Sequence, residues 1–193
     1  MPIGWITMLN ALAERLTAWG LSWAGLRDNR RGEWWLIAQM VLIVAHLLPA
    51  TPSPASLDLH WPLALRLGGL VLFSLGLVLA ARGALSLGAS LSPLPEPMPE
   101  AALVTSGAYG RCRHPLYQSV ILCSLGVTVA LGSLLHLALL LGLVVVLGFK
   151  ARREELGLCS LHPQYEAYRA TTPAIVPGLP WLDWRSAVPG KAG

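Results

Sequence analysis

The chain has 193 residues, 54% of them hydrophobic and only 12% charged, with a mean hydropathy of +0.58. A soluble domain carries about twice that charged share, so the composition describes a membrane protein, and so high an apolar content excludes disorder. The net charge of +4 does not indicate nucleic acid, because the arginines stand beside apolar runs instead of sharing a polar surface with aromatics.

In chain order, Trp5, Met8, Leu12, Leu16, Trp19 and Trp23 recur at spacings of three and four. That stripe predicts an amphipathic helix lying in the membrane interface within segment 1–33. Its first basic side chain is Arg15 and it has no short central apolar run, so it is a poor match to a signal peptide. A spanning helix needs roughly 17 to 25 mostly apolar residues, and spans are expected over 34–50 and 63–81. Gly69, Gly76 and Gly83 repeat every seven residues in the second, predicting a small-residue face for close helix packing. From His114 to Phe149 no residue is charged. One helix of that length would run roughly 54 Å, far beyond a hydrocarbon core of about 30 Å, so the block must fold back. Gly132-Ser133 is the expected turn of a hairpin over 117–131 and 134–149.

Arg27, Arg30 and Arg31 precede the first span, Arg82, Arg111 and Arg113 lie between the second and third, and Lys150, Arg152, Arg153 and Arg169 follow the fourth. The two opposite connections carry no Lys or Arg, so both termini and the long loop are expected on the cytoplasmic side. His46 and His136 each sit within a span, where a hydrogen-bonded helix contact is expected. No His-Glu spacing of a zinc or di-iron site occurs, and Cys112, Cys123 and Cys159 form no CxxC, so no metal is expected.

Polar residues survive in two segments flanking the hairpin. Residues 103–117 read Leu-Val-Thr-Ser-Gly-Ala-Tyr-Gly-Arg-Cys-Arg-His-Pro-Leu-Tyr, and the second segment runs from Lys150 through Glu154 and Glu155 to Leu158, Tyr165 and Tyr168. Taken singly, Arg113-His114-Pro115 is an ordinary helix start, and Glu154-Glu155 beside Arg152-Arg153 an ordinary solvated face. The hairpin brings the two segments out side by side.

With residues 87–95, Leu-Gly-Ala-Ser-Leu-Ser-Pro-Leu-Pro, the ordered set resembles the isoprenylcysteine carboxyl methyltransferase family over about the last two-thirds of the chain. The resemblance implies an integral membrane enzyme that moves a methyl group from S-adenosylmethionine to a lipophilic acceptor. The expected fold is all-α, with about four transmembrane helices, the N-terminal interfacial helix and a C-terminal helical cytoplasmic segment. It forms a single domain over 1–193: the N-terminal segment 1–33, two spans over 34–81, a cofactor-motif loop over 82–116, the hairpin over 117–149 and a cofactor and substrate segment over 150–193. The expected setting is the bacterial inner (cytoplasmic) membrane with the active site on the cytoplasmic face. By the same resemblance Leu103, Val104, Tyr109, His114, Pro115, Leu116, Tyr117, Glu154 and Glu155 line the cofactor pocket. The family's substrate-contacting arginine corresponds to Lys150 here, with Arg153 nearby as a candidate substitute. Lysine offers a point charge in place of a bidentate fork, which leaves the acceptor open between a prenylcysteine carboxylate and a thiol or phospholipid amine. A second departure is Ala174, where many bacterial relatives carry a basic residue. A non-catalytic assembly factor on the same scaffold is the alternative of a different class. A transporter is disfavoured, since no span carries paired ionisable groups or an internal repeat.

Overall fold

The computed structural model describes residues 23–96 and 102–185, so the predicted stripe from Trp5 to Trp19 lies outside the described residues. Among the described residues there are six α-helices and no strand: α1 (Trp23–Asp28), α2 (Glu33–Ala45), α3 (Leu63–Leu87), α4 (Pro115–Leu131), α5 (Leu134–Leu161) and α6 (Tyr165–Thr171). Two of them, α3 and α5, are long and apolar enough to cross a membrane by length and composition, whereas α2 and α4 are apolar but shorter.

Helix α2 stops at Ala45, five residues before the expected end. Pro49, Pro52 and Pro54 come soon after, and proline neither donates a backbone hydrogen bond nor continues a helix. Helix α5 overruns its expected end at 149 and continues through Lys150 and the charged run to Leu161. The end of the apolar stretch was not the end of the helix, because Lys, Arg, Glu and Leu are all strong helix formers.

The hairpin turn falls where the sequence puts it. Gly132 ends α4 in the left-handed region (φ 59°), a conformation glycine adopts without a Cβ penalty. The Trp61 ring lies over it: a Cβ at Gly132 would meet Trp61 Cε2 at 2.5 Å, and Trp61 Nε1 donates to Val129 O at 2.9 Å. Thr51 N donates to Ser133 Oγ at 3.0 Å and Leu135 N to Thr51 O at 3.0 Å, tying the preceding loop to the turn.

Helices α3 and α4 pack antiparallel along the glycine repeat. A Cβ at Gly69 would lie 2.5 Å from Ala130 N and Gly126 O, one at Gly76 2.5 Å from Cys123 Sγ, and one at Gly83 3.1 Å from Leu116 Cδ2. Lipid is as apolar as leucine, so helix association in a bilayer rests on such close packing. The opposite face of α3 is exposed, with Leu70, Val71, Leu75 and Val78 each more than half accessible, as lipid contact requires.

Helix α2 packs on α5. Here the two histidines meet: their ring centroids are 5.7 Å apart, His46 Nδ1 donates to Leu42 O at 2.8 Å and His46 Nε2 bonds Ser124 Oγ at 2.5 Å. His136 Nε2 donates to His46 O at 3.3 Å. Each makes the helix contact expected of it, and the two form one cluster.

Candidate active site

The site forms at the end of the bundle where α4 begins and α5 leaves the apolar region. Pro115 opens α4 at the position where its missing N–H costs nothing. Just before it, Arg113 N donates to Pro173 O at 2.9 Å and His114 N to Ala174 O at 3.0 Å, so the segment after α6 lies along residues 113–114. Cys112 is sealed beneath that segment, its thiol donating to Ala174 O at 3.0 Å, and burial pushes its pKa up to about 11.

Arg113 is buried to its guanidinium. Its Nε donates to Glu155 Oε1 at 2.7 Å, and its terminal nitrogens donate to Arg169 O at 3.0 Å, Trp184 O at 3.2 Å and Thr172 O. Glu155 also accepts from His114 Nε2 at 3.0 Å and from Trp184 Nε1 at 2.7 Å. A buried ion pair is tolerated only when its remaining hydrogen-bonding capacity is met, and here it is. Burial alone would raise the Glu155 carboxyl, but His114 and then Arg113 outweigh it and hold the pKa down to about 2.

Glu154 turns the other way. Its Oε2 accepts from Tyr117 Oη at 2.7 Å, and 28% of its side chain stays exposed. With Ser90, Ser92, Leu94, Leu103, Val104, Tyr109, Arg113, Leu158, His162, Tyr165 and Tyr168 it lines a small, partly open pocket. Tyr168 Oη donates to Tyr109 O at 2.5 Å, fixing the turn that carries Tyr109. The buried hydroxyl of Tyr165 has no partner among the described residues. Burial, with the Glu154 charge second for Tyr109 and the Glu155 charge second for Tyr165, pushes both phenols well above their ordinary range, so both stay protonated.

Of the residues expected around the cofactor, Leu103, Val104, Tyr109 and Glu154 line this pocket. Tyr117 reaches it through Glu154. His114 is buried behind, stacked on Tyr117 with ring centroids 5.3 Å apart and hydrogen-bonded to Glu155. Pro115 is buried at the helix start and Leu116 packs against Gly83. Glu155 is consumed by the internal network. Lys150 is buried too: Nζ donates to Gln39 Oε1 at 2.7 Å and Pro93 O at 2.8 Å and lies 5.2 Å from the Tyr117 ring centroid. Arg153 faces away, donating to Arg30 O at 2.9 Å. Ala174 is wholly buried. His162 and Trp184 were not singled out by the sequence, since neither belongs to a spaced motif. The only signal for Trp184 was an aromatic in a polar tail.

The described residues thus form an apolar helical bundle, two of its helices long and apolar enough to cross a membrane, with a polar pocket at one end framed by a carboxylate and phenols. Residues 65–159, just under half the chain, match the family described as "Phospholipid methyltransferase", a family of membrane methyltransferases related to the isoprenylcysteine carboxyl methyltransferases. The chain is 40% identical over 79 residues to "Cobalt-zinc-cadmium resistance protein CzcN" of Cupriavidus metallidurans, covering 40% of this chain and 36% of that protein. It is 38% identical over 82 residues to "Nickel-cobalt-cadmium resistance protein NccN" of Alcaligenes xylosoxydans xylosoxydans, covering 40% of this chain and 37% of that protein. The matches thus span little more than a third of these curated relatives. No solved structure matches the chain.

Proposed function

We propose that this protein is an integral membrane methyltransferase that uses S-adenosylmethionine to methylate a lipophilic acceptor. The observation that carries the proposal is one pocket that gathers Glu154, Tyr109 and the unpartnered Tyr165 hydroxyl, built largely from the segment that matches a methyltransferase family. The donor set suits the cofactor. A partly exposed carboxylate complements an α-ammonium, a buried hydroxyl without a partner awaits an acceptor, and the leucines and tyrosines offer surface for a flat base.

When bound, S-adenosylmethionine supplies an electrophilic methyl group on a sulfonium. The chain's own residues then need only bind and align, a contribution that can reach several kcal/mol. Glu154, steadied by Tyr117, holds the ammonium. The protonated Tyr165 phenol donates to a polar oxygen or nitrogen, and Leu103, Val104 and Leu158 exclude water. Arg113, His114 and Glu155 hold the pocket floor and the start of α4 in register.

The lipophilic acceptor is supported by a second cavity. Between α2 and α3, with α4 as its floor, Ile43, Leu47, Phe73, Leu77, Val120 and Val127 bound a largely apolar, open groove. It runs along α4 to Ser119, two residues from Tyr117. A carboxylate acceptor is favoured by Lys150, a buried cation whose two hydrogen-bond partners are neutral. A phospholipid amine is the second reading, favoured by the family match.

Calorimetric titration of S-adenosylhomocysteine into the purified protein in detergent tests the cofactor assignment. Saturable binding is expected, weakened about tenfold to a hundredfold by Glu154→Ala, as for loss of a charge-assisted contact. No binding to the parent protein refutes the function. For the acceptor, a prenylated cysteine with a free carboxylate should be methylated at a rate that does not rise from about pH 6.5 to 8.5, because a carboxylate is ionised throughout, and that declines toward the top of that range as Lys150, whose pKa burial lowers to about 8, gives up its proton. Turnover of phosphatidylethanolamine instead, or a steep rise with pH, moves the assignment to an amine or thiol.

A further inference from the structure

On the far side of the turn Gly107–Gly110 from the methyltransferase pocket lies a third, half-open cavity, lined among others by Leu79, Arg82, Leu85, Ser86, Arg111 and Gln118. It uses no residue of the proposed active site. Its two arginines are exposed, and among the described residues neither is paired with a carboxylate. Four other basic side chains near this end are engaged. Arg113 is paired with Glu155 and Arg185 with Asp183, Arg152 lies 4.2 Å from the ring centroids of both Trp181 and Trp184, and Arg153 donates to Arg30 O. No carboxylate lines the cavity.

The level of the two arginines in the membrane is set by α3. Arg66 and Arg82 bracket an uncharged run over 67–81, about 22 Å long at 1.5 Å per residue. With both side chains reaching outward, Arg82 stands at the phosphate level of the leaflet at the site end of the bundle. Arg111 joins it from the loop four residues before α4. One wall of the cavity is apolar, Leu79 and Leu85, and Leu85 is 82% exposed. Leu75 and Val78 continue an exposed apolar face down the helix.

We propose that this cavity binds an anionic phospholipid, its phosphate held between Arg82 and Arg111 and its acyl chains laid along the exposed face of α3. Two guanidinium forks match phosphate oxygens, Gln118 adds an amide donor, and Leu79, about one turn from Arg82 toward the apolar run, meets the glycerol and first methylenes. The lipid bridges the end of α3 to the turn that carries Tyr109, reinforcing a contact in which Ser86 Oγ accepts from Ala108 N at 3.5 Å.

Native mass spectrometry of the full chain, released from detergent and titrated with phosphatidylglycerol or with phosphatidylcholine of the same chains, tests the site. One phosphatidylglycerol should be retained in preference to phosphatidylcholine. A basic residue at the membrane surface contributes about fivefold in affinity for anionic lipid. Arg82→Gln or Arg111→Gln should therefore each lose about fivefold, and the double variant roughly twentyfold. Arg66→Gln, which removes the same charge at the other end of α3, should lose nothing. Equal retention of the two lipids, undiminished phosphatidylglycerol in the double variant, or an equal loss in Arg66→Gln overturns the proposal. So does displacement of the lipid by soluble glycerol phosphate at comparable concentration, which would mark a phosphate site with no need of the membrane.

Discussion

Glu154 and Glu155 are neighbours in sequence with opposite assignments: one is left partly open to the pocket, and the other is closed inside a network of Arg113, His114 and Trp184. The carboxyl of Glu155 is held near pH 2 in the folded protein, below the ordinary carboxylate value of 4.5. A depressed folded-state pKa gives stability that is fully present above the unfolded value and is lost as pH falls toward the folded one. Thermal unfolding in detergent should therefore show stability falling between about pH 4.5 and 2, by about 3 kcal/mol for that shift. Glu155→Gln should be less stable at pH 7 and should lack that part of the slope. A variant with the parent's acid profile would show that the network does not govern it. The sequence made both glutamates visible as a pair but could not divide their labour, because Arg113 lies 42 residues from Glu155 and Trp184 a further 29 beyond it. Lys150 was hidden for a related reason: a lysine at the end of an apolar run is ordinarily solvated, and the neutral acceptors that bury it, Gln39 and Pro93, come from distant segments.

At the scale of elements, the α3–α4 seam is the most exacting contact, and adjacent glycines on α3 give a built-in comparison. A Cβ at Gly69 collides with the backbone of α4, whereas one at Gly68 has nothing within 4 Å. Gly69→Val should destabilise the bundle by at least 1 to 3 kcal/mol, the usual cost of overpacking. Gly68→Ala should be neutral or stabilising by up to about 1 kcal/mol, as alanine is the better helix former. Unfolding of the two variants in detergent, side by side, checks both. This seam was legible in advance because a seven-residue glycine repeat and a Gly-Ser break inside a long apolar block are local signals. The ends of α2 and α5 were not, since each is set by the residues beyond the apolar run: prolines in the first case, helix-forming charged residues in the second.

For the whole molecule, two helices meet the length needed to span a bilayer and two apolar helices fall short of it. Four crossings with the site end facing the cytoplasm is the arrangement we propose from the basic-residue asymmetry. Single cysteines at Ser56 and Ser160, both exposed and at opposite ends of the bundle, report on it. With the native cysteines removed, Ser56→Cys should react with an impermeant thiol reagent in intact cells, and Ser160→Cys only after the membrane is opened. The reverse pattern inverts the topology, and labelling of both from outside breaks the four-crossing scheme.

The acceptors around Arg113 also impose a sequence in time. Its side chain stands at the head of α4, yet the carbonyls that receive it belong to Arg169, Thr172 and Trp184, and its carboxylate to Glu155. The three carbonyls leave the ribosome after α5 has been made, and Glu155 itself arrives only in the last two turns of that helix. While α4 and α5 are being inserted, the guanidinium must therefore keep its water. It surrenders that water only when residues 169–184 fold back over it, so the floor of the pocket is completed by a segment made after both helices of the hairpin.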